Sequence, residues 1–253
     1  GTSFDVGVIQ GGTIPFSRDT EMGGLPIGVP MLDLHTVGAG GGSIAWLDAG
    51  NALRVGPRSA GAVPGPACYG AGGNDPTVTD ANLVLGRLGP RTLLGGGMTL
   101  SREAAERAIF DRIAGPLSLT VLEAAEGIVR VINSTMIAAI RRLTIERGHD
   151  PRGFSLCPFG GSGPMHGADL ATDLGVTETV IPVAPGVHSA VGLLMTNLRE
   201  DRTRTLVHRL DAMIMEELEV VLHDLELEAR EQLIAHGTVS SNVSRAVGQR
   251  YLG

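Results

Sequence analysis

The feature that most constrains this fold is a long apolar helix predicted between Thr120 and Arg147. Thr120 and Glu123 form a capping-box pattern at its start, and Gly148 follows its end. Its apolar residues recur at steps of three and four, which is typical of an α-helix. They are Leu122, Ala125, Val129, Ile132, Met136, Ile140 and Leu143. Because nearly every face is apolar before Arg141, we expect a central helix covered by other elements.

The other segments predict an α/β protein with a mixed sheet and flanking helices. Strand-like segments come first, and strands then alternate with helices, which favours ligand sites at strand-to-helix turns. Residues 58–98 predict a long loop with a functional role. Predicted strands occupy residues 3–9, 30–37, 154–159 and 177–183, with a hairpin at 43–57. Predicted helices occupy residues 101–114, 164–174 and 187–198, and a last one runs from Asp211 to Gly237.

A glycine-rich turn lies between the strand ending at Phe159 and the helix beginning at Pro164. Its residues are Gly160, Gly161, Ser162 and Gly163. The amides at a helix N-terminus lack intrahelical partners and carry a partial positive charge, so they suit an anion such as phosphate. Glycine also lets a ligand approach without a Cβ in the way. The alternative is that these glycines only allow tight packing of the helix on the sheet.

Two further segments resemble this turn. The stretch 37–43 follows a predicted strand and contains Gly40, Gly41, Gly42 and Ser43, which suggests a second run of free amides. The chain opens with Gly1, Thr2 and Ser3 before Asp5, a hydroxyl pair and a carboxylate that suit phosphate oxygens and Mg²⁺. No lysine follows these glycines, so the P-loop pattern is missing, and so is the dinucleotide fingerprint.

Four other side chains are candidates with open alternatives. Asp33 and His35 share one face of a predicted strand and are candidates for catalysis or metal binding, although a simply hydrogen-bonded histidine is also possible. His166 can reach a phosphate or pack in the core. Cys157 precedes a proline in a predicted buried strand, which favours an inert core thiol. Asp80 is either part of a site or a helix cap.

Composition excludes some classes of function. The net charge is −7 and no basic stripe is visible, which argues against nucleic-acid binding. The two cysteines form no disulfide framework, which suits the cytoplasm, and no apolar run is long enough to span a membrane. Both ends begin or stop within a strand-like pattern, so we expect a piece of a longer polypeptide.

Together, these motifs resemble the hydantoinase A/5-oxoprolinase family. The resemblance is carried by GTSFDV at residues 1–6, by the long stretch 33–88, by CPFGGSGPMHGADLA at 157–171 and by PGVHSAVGLL at 185–194. It implies half of an actin-like ATPase fold, of the kind that sugar kinases share. The implied organisation is a nucleotide-binding domain over residues 1–205, truncated at its N-terminal side. Residues 206–253 would form an amphipathic helix and the start of a C-terminal domain.

The resemblance also implies a function. Members are ATP-dependent hydrolases of cyclic amides or ATP-dependent ketone carboxylases, so we expect ATP, Mg²⁺, a small cyclic amide or ketone substrate, and a hetero-oligomer with a hydantoinase B-type partner. A non-catalytic nucleotide-binding scaffold is the third possibility. Asp5 would hold Mg²⁺ or orient the attacking group. The residues implied at the nucleotide phosphates are Gly1, Thr2, Ser3, Gly40, Gly41, Gly42, Ser43, Gly160, Gly161, Ser162 and Gly163.

Overall fold

The computed structural model describes residues 1–17, 20–22, 25–27, 31–91, 97–207 and 215–248. The chain divides into two compact units, Gly1–Val191 and Gly192–Gly253. The family-domain boundary that we place near residue 205 stays a prediction. No helix in the described part of the chain is long and apolar enough to cross a membrane.

The strands of the first unit pair as antiparallel two-stranded ladders, β1 with β6, β2 with β5, β3 with β4 and β7 with β8. Their bounds are β1 Phe4–Gly7, β2 Phe16–Ser17, β3 Thr20–Met22, β4 Leu25–Ile27, β5 Met31–Leu32, β6 Leu34–Val37, β7 Ser43–Leu47 and β8 Leu53–Ser59. The predicted strand at 3–9 and the hairpin at 43–57 are thereby confirmed, whereas the single strand predicted at 30–37 is divided at Asp33 into β5 and β6, which pair with different partners. Pro30 lies outside the described residues.

The helices confirm most of the predicted positions. They are α1 Val78–Val84, α2 Arg102–Ile109, α3 Gly115–Leu117, α4 Val121–Leu143, α5 Gly163–Leu174, α6 His188–Met195 and α7 Met215–Ala235. Helix α4 begins at the Thr120–Glu123 capping box, as predicted. Gly148 has a φ of +81° after a short 3₁₀ turn, which ends the helical path as expected.

Helix α4 lies at the centre of the first unit, as its sequence predicts. It packs against α1, α5, β1, β6 and β8. Its residues Ile128, Ile132 and Met136 are at most 2% exposed, so apolar burial holds the helix in place. One polar side chain, Asn133, is also buried on this helix.

The combination of helices and strands is as expected, but the strands of the described residues pair only as antiparallel two-stranded ladders. The segments 154–159 and 177–183 do not form strands; they meet at a single parallel bridge between Leu156 and Thr179. Backbone hydrogen bonds join Leu156 to Glu178 (2.9 Å) and to Val180 (2.8 Å). A strand needs a partner for each successive residue, and here the pairing stops after one.

Two local predictions need correction. The helix that Ser101 caps does not stop at Ala114; a π-helical turn over Phe110–Ala114 leads into α3, with Pro116 near its start. The stretch 58–98 is not without structure, because it contains a 3₁₀ turn at Ala67–Tyr69 and helix α1. Proline is compatible with the first turn of a helix, which explains the continuation past residue 114.

The second unit contains helix α7, close to where the last helix is predicted. Its predicted cap, Asp211, lies outside the described residues. Arg245 pairs with Glu219 at 3.0 Å and with Glu226 at 2.7 Å, so ion pairs connect α7 to the segment after it. Such exposed pairs contribute little stability individually.

Candidate functional site

The turn between β6 and β7 is buried and internally hydrogen-bonded. Every residue from 39 to 45 is buried. The hydroxyl of Ser43 accepts a hydrogen bond from the Gly40 amide (3.1 Å) and donates one to the Gly38 carbonyl (3.3 Å). The Ser43 amide donates to the Gly40 carbonyl at 3.0 Å. The expected run of free amides is therefore wrong for Gly40 and Ser43.

The first residues of the chain lie directly on this turn. The amide of Gly42 donates to the carbonyl of Gly1 at 3.0 Å. A Cβ on Gly40 would lie 2.3 Å from the Gly1 oxygen, and one on Gly42 would lie 2.8 Å from the Ser59 hydroxyl. Glycine is required here because neighbouring chain segments occupy the space of a side chain. The predicted first and second phosphate-binding segments are thus in contact.

The third glycine-rich turn reaches the same place. A Cβ on Gly41 would lie 3.7 Å from the hydroxyl oxygen of Ser162. That oxygen is buried and has no hydrogen-bond partner among the described residues. Gly160 and Gly161 border open space, since a Cβ on either would meet no atom within 4 Å. The Gly160 amide donates to the Pro185 carbonyl at 2.7 Å, so the amides of Gly161, Ser162 and Gly163 are the ones available to an anion at the start of helix α5.

Asp5 extends the site along β1. Its carboxylate accepts hydrogen bonds from the hydroxyls of Thr36 (2.6 Å) and Ser3 (3.1 Å). Asp5 and Thr36 are cross-strand partners, so both side chains lie on one face of the ladder. Asp5 is exposed, which leaves its carboxylate accessible to a ligand or metal ion.

Asp33 and His35 lie elsewhere. His35 is the cross-strand partner of Val6, so it lies on the face opposite Asp5. Asp33 forms a salt bridge with Arg147, just beyond the end of α4. Hydrogen bonding from the Arg147 guanidinium lowers the pKa of Asp33 despite some desolvation. The structure therefore does not bring these two residues together with Asp5, and their catalytic role stays a prediction.

A metal ion would find few protein ligands here. The described residues contain no group of three or more His, Cys, Asp or Glu side chains arranged to hold one. Asp5 is the carboxylate beside the glycine-rich segments, and Mg²⁺ commonly binds one or two carboxylates together with phosphate oxygens and water. A single carboxylate next to an anion site fits that pattern.

His166 packs in the core. It is not a cation exposed at the glycine-rich turn. It is fully buried, and its Nδ1 lies 2.7 Å from the Oδ1 of Asn133. Burial lowers the pKa of His166 to about 4, so the imidazole is neutral at pH 7. The sequence left two alternatives for His166, a contact with phosphate or packing in the core. The structure shows packing in the core.

The two cysteines differ from expectation in one respect. Cys157 is exposed, so the predicted core thiol is wrong at this position. The segment around it has a single bridge and is not a buried strand, which explains the exposure. Cys68 is the buried thiol, and burial raises its pKa.

Sequence reasoning missed the support beneath these turns. Thr79, near the start of α1, donates from both its amide and its hydroxyl to the Gly41 carbonyl, each at 2.8 Å. Asp80 is fully buried and caps α1 together with Thr77, which confirms the helix-cap alternative. It also accepts hydrogen bonds from the amides of Ala67 (3.2 Å) and Cys68 (2.7 Å). The Thr-x-x-Asp spacing is a capping-box signal that could have predicted α1.

Comparison with known proteins gives consistent results. The sequence profile of the Hydantoinase/oxoprolinase family matches residues 1–202. The caprolactamase subunit alpha of Pseudomonas jessenii is 50% identical over 211 residues, which are 83% of this chain and 30% of that protein.

Two solved structures are similar. The ATP-dependent caprolactamase of Pseudomonas jessenii has a TM-score of 0.74 at 46% identity, covering 96% of this chain and 36% of that one. The nucleotide-free structure of an acetone carboxylase has a TM-score of 0.78 at 30% identity, covering 94% of this chain and 35% of that one. The chain therefore spans about a third of the length of the relatives it matches.

Three segments that are far apart in sequence, Gly1–Ser3, Gly40–Ser43 and Gly160–Gly163, are in contact, and the profile match covers all three of them. The chain belongs to the hydantoinase/oxoprolinase family.

Proposed function

We propose that this chain forms the nucleotide-handling part of an ATP-dependent enzyme that hydrolyses cyclic amides. The observation that carries the proposal is that Gly1 and Ser162, from the segments Gly1–Ser3 and Gly160–Gly163, both lie against the buried Gly40–Ser43 turn. The similarity to an ATP-dependent caprolactamase supports the choice of a cyclic amide as substrate.

The three segments would have different roles. Gly161 borders open space at the start of α5, so its backbone amide would lie nearest the phosphates, whereas the Gly160 amide is held by the Pro185 carbonyl. The unpartnered hydroxyl of Ser162 would donate to a phosphate oxygen. Asp5, exposed beside Ser3, would contribute the protein ligand to Mg²⁺. The buried segment 40–43 would support the other two.

The chemistry explains why ATP is needed. An amide carbon is a poor electrophile, and transfer of the γ-phosphoryl group to the carbonyl oxygen makes that carbon open to attack by water. The C–N bond then breaks with protonation of the nitrogen, and a second water releases phosphate from the acyl phosphate. The chain would contribute positioning and charge stabilisation, as in other phosphoryl transfers.

A second candidate is ATP-dependent carboxylation of a ketone. It is favoured by the similarity to acetone carboxylase, whose TM-score of 0.78 is the higher of the two. In that reaction the same surface would activate an enol oxygen or bicarbonate. Asp33 and His35, which lie away from Asp5, stay predicted catalytic residues under either reaction.

The wider setting is also part of the proposal. We expect an actin-like ATPase fold in the complete protein, with this chain as one part of it. We expect a hetero-oligomer with a hydantoinase B-type partner, because the caprolactamase relative is one subunit of its enzyme. A cytoplasmic location fits the absence of a disulfide between Cys68 and Cys157.

The deciding experiment uses the complete protein assembled with its partner subunit. ATP consumption is followed with caprolactam, 5-oxoproline, hydantoins and small ketones, with and without labelled bicarbonate. Ring-opened product without label supports the hydrolase, and label in the product supports the carboxylase. Asp5→Asn should abolish turnover, whereas Asp173→Asn, on the exposed side of α5, should not. Absence of ATP consumption with every substrate would contradict both reactions.

A further inference from the structure

A chain of buried polar contacts joins three helices beneath the glycine-rich surface. The Nδ1 of His166 on α5 lies 2.7 Å from the Oδ1 of Asn133 on α4. Because a carbonyl oxygen only accepts, this contact places the proton on Nδ1 and leaves Nε2 as an acceptor. The Nδ2 of Asn82 on α1 lies 3.4 Å from that Nε2 and can donate to it. His166 and Asn82 are fully buried, and Asn133 is 4% exposed.

The contacts continue outward to a charged pair. The Nδ2 of Asn133 donates to the carboxylate of Asp169 at 3.1 Å. Arg87 donates to the same carboxylate at 2.6 Å and to the Met165 carbonyl at 3.3 Å. Both acceptors lie on α5, so the network attaches the first two turns of that helix to the segment after α1.

The same short helix also holds the other glycine-rich turn. Thr79 on α1 binds the Gly41 carbonyl through two hydrogen bonds, and Asn82, one turn later, contacts His166. Helix α5 begins at the Gly160–Gly163 turn, three residues before His166. One helix of seven residues therefore binds the Gly40–Ser43 turn directly and contacts, at His166, the helix that follows the Gly160–Gly163 turn.

Hydrophobic packing alone would not require these polar groups. The surrounding core is apolar, with Ile128, Ile132 and Leu170 at most 2% exposed. Well-packed apolar residues often stabilise a core as much as a buried polar network does. The network differs because its hydrogen bonds are directional and hold the helices in one relative alignment, even though the Oδ1 of Asn82 is buried without a partner among the described residues.

We propose that His166 is a positioning residue, which, through Asn82 and Asn133, sets the separation between the Gly160–Gly163 and Gly40–Ser43 turns. The neutral imidazole fits this role, because it donates at one nitrogen and accepts at the other. The alignment itself does not depend on the ligand. That the aligned surface binds a nucleotide rests on the proposed function.

The test compares three variants in the complete protein. His166→Leu removes both hydrogen bonds of the imidazole. His166→Gln can still donate to Asn133 and accept from Asn82, so it is the rescue variant. Ile128→Val trims the same core without touching the network, so it controls for a general loss of stability.

The first readout is amide hydrogen exchange in residues 38–43 and 160–165, which needs no ligand. His166→Leu should raise exchange in both segments by about tenfold or more, and His166→Gln should restore most of the protection. Equal exchange in the Leu and Val variants would overturn the proposal, as would faster exchange in only one of the two segments. If His166→Leu does not fold, Asn82→Ala, which leaves the contact with Asn133 intact, replaces it with the same expectations.

The second readout is the affinity for Mg²⁺-ATP, with kcat and KM measured separately. The Leu variant should raise the KM for ATP by about tenfold, because binding surfaces tolerate displacements of only about half an ångström. The Val control should leave KM unchanged. A wild-type protein that binds no nucleotide would refute the proposed function and leave the exchange experiment to decide the positioning role. An unchanged KM with increased exchange would overturn the link between alignment and binding.

Discussion

The two internal glycine-rich turns have similar composition but need glycine for different reasons. At Gly40 a Cβ would lie 2.3 Å from a backbone oxygen, whereas at Gly161 it would meet no atom within 4 Å. The first turn is buried and uses its amides internally; the second lies at the open start of a helix. Glycine content alone therefore does not identify a ligand site. What distinguishes the two is whether the space beside the backbone is already filled.

We therefore expect mutations beneath the Gly40–Ser43 turn to lower the stability of the fold. Mutations at the Gly160–Gly163 turn should instead weaken ligand binding.

Asp80→Ala should destabilise the protein most. The carboxylate accepts hydrogen bonds from the amides of Ala67, Cys68 and Thr77 and from the Thr77 hydroxyl, all in the buried support of the first turn. Each unsatisfied buried donor costs about 1–3 kcal/mol, so we expect a loss of more than about 3 kcal/mol in urea unfolding.

Thiol labelling of the same variant gives an independent measurement. Cys157 is exposed and should react in the wild type, whereas Cys68 is buried and should react only on unfolding. In Asp80→Ala both should react. The control is Asp75→Ala, because Asp75 is 49% exposed and its nearest cation, on Arg112, is 3.8 Å away. A loss as large in the control would contradict the role of Asp80.

Gly40→Ala should destabilise by about 1–3 kcal/mol, the usual cost of overpacking. The added methyl group would overlap Gly1 and Thr2 backbone atoms, which cannot rotate away as a side chain could. For a chain of this size the melting temperature should fall by several degrees, measured by thermal unfolding. A neutral result would mean that the first turn is as open as the second.

Gly161→Ala should leave stability within about 0.5 kcal/mol but weaken nucleotide binding. The methyl group would point into open space where we propose that phosphate binds. A lost hydrogen bond of about 1 kcal/mol corresponds to a roughly fivefold increase in Kd, measured by calorimetry. Unchanged affinity would remove this residue from the proposed site, and Gly153→Ala, also in open space but outside the turn, is the matched control.

Asp33→Asn should change the free energy of unfolding least. Arg147 lowers the pKa of Asp33 in the folded state, so the carboxylate stabilises the protein above its ordinary pKa of 3.8. That contribution is lost as the pH falls through the lowered folded value. We expect a cost below about 1 kcal/mol at pH 7 that shrinks in acid, because exposed ion pairs are weak.

The matched control for this pair is Arg147→Gln, alone and combined with Asp33→Asn. The double variant should lose no more free energy of unfolding than either single variant. Loss of activity in Asp33→Asn without loss of stability would instead support the predicted catalytic role of Asp33.

Much of the fold could be predicted because its signals are local. The capping box at Thr120 and the apolar spacing identify α4 within a few residues, and Pro164 after the glycines identifies α5. The strands at 154–159 and 177–183 could not be predicted correctly, since strand formation depends on how many residues find a partner.

The candidate site was only partly predictable for the same reason. Glycine-rich segments can be seen in the sequence, but their contacts join residues about forty and about a hundred and twenty positions apart along the chain. His166 looks the same in sequence whether it faces a phosphate or two asparagines. Asn133 sits within an apolar run and carries no local signal of its contact with His166.

Local patterns were enough to identify most of the helices, the glycine-rich turns and the family, because capping, helical periodicity and motif spacing are properties of neighbouring residues; helix α1 and the end of the helix from Ser101 are the exceptions. The tertiary structure is needed to see that neighbouring atoms fill the space beside Gly40 and that the space beside Gly161 is open. It also placed Asp5 and His35 on opposite faces of one ladder and Arg147 against Asp33. These outcomes depend on excluded volume and hydrogen-bond direction between distant segments, which no local pattern contains.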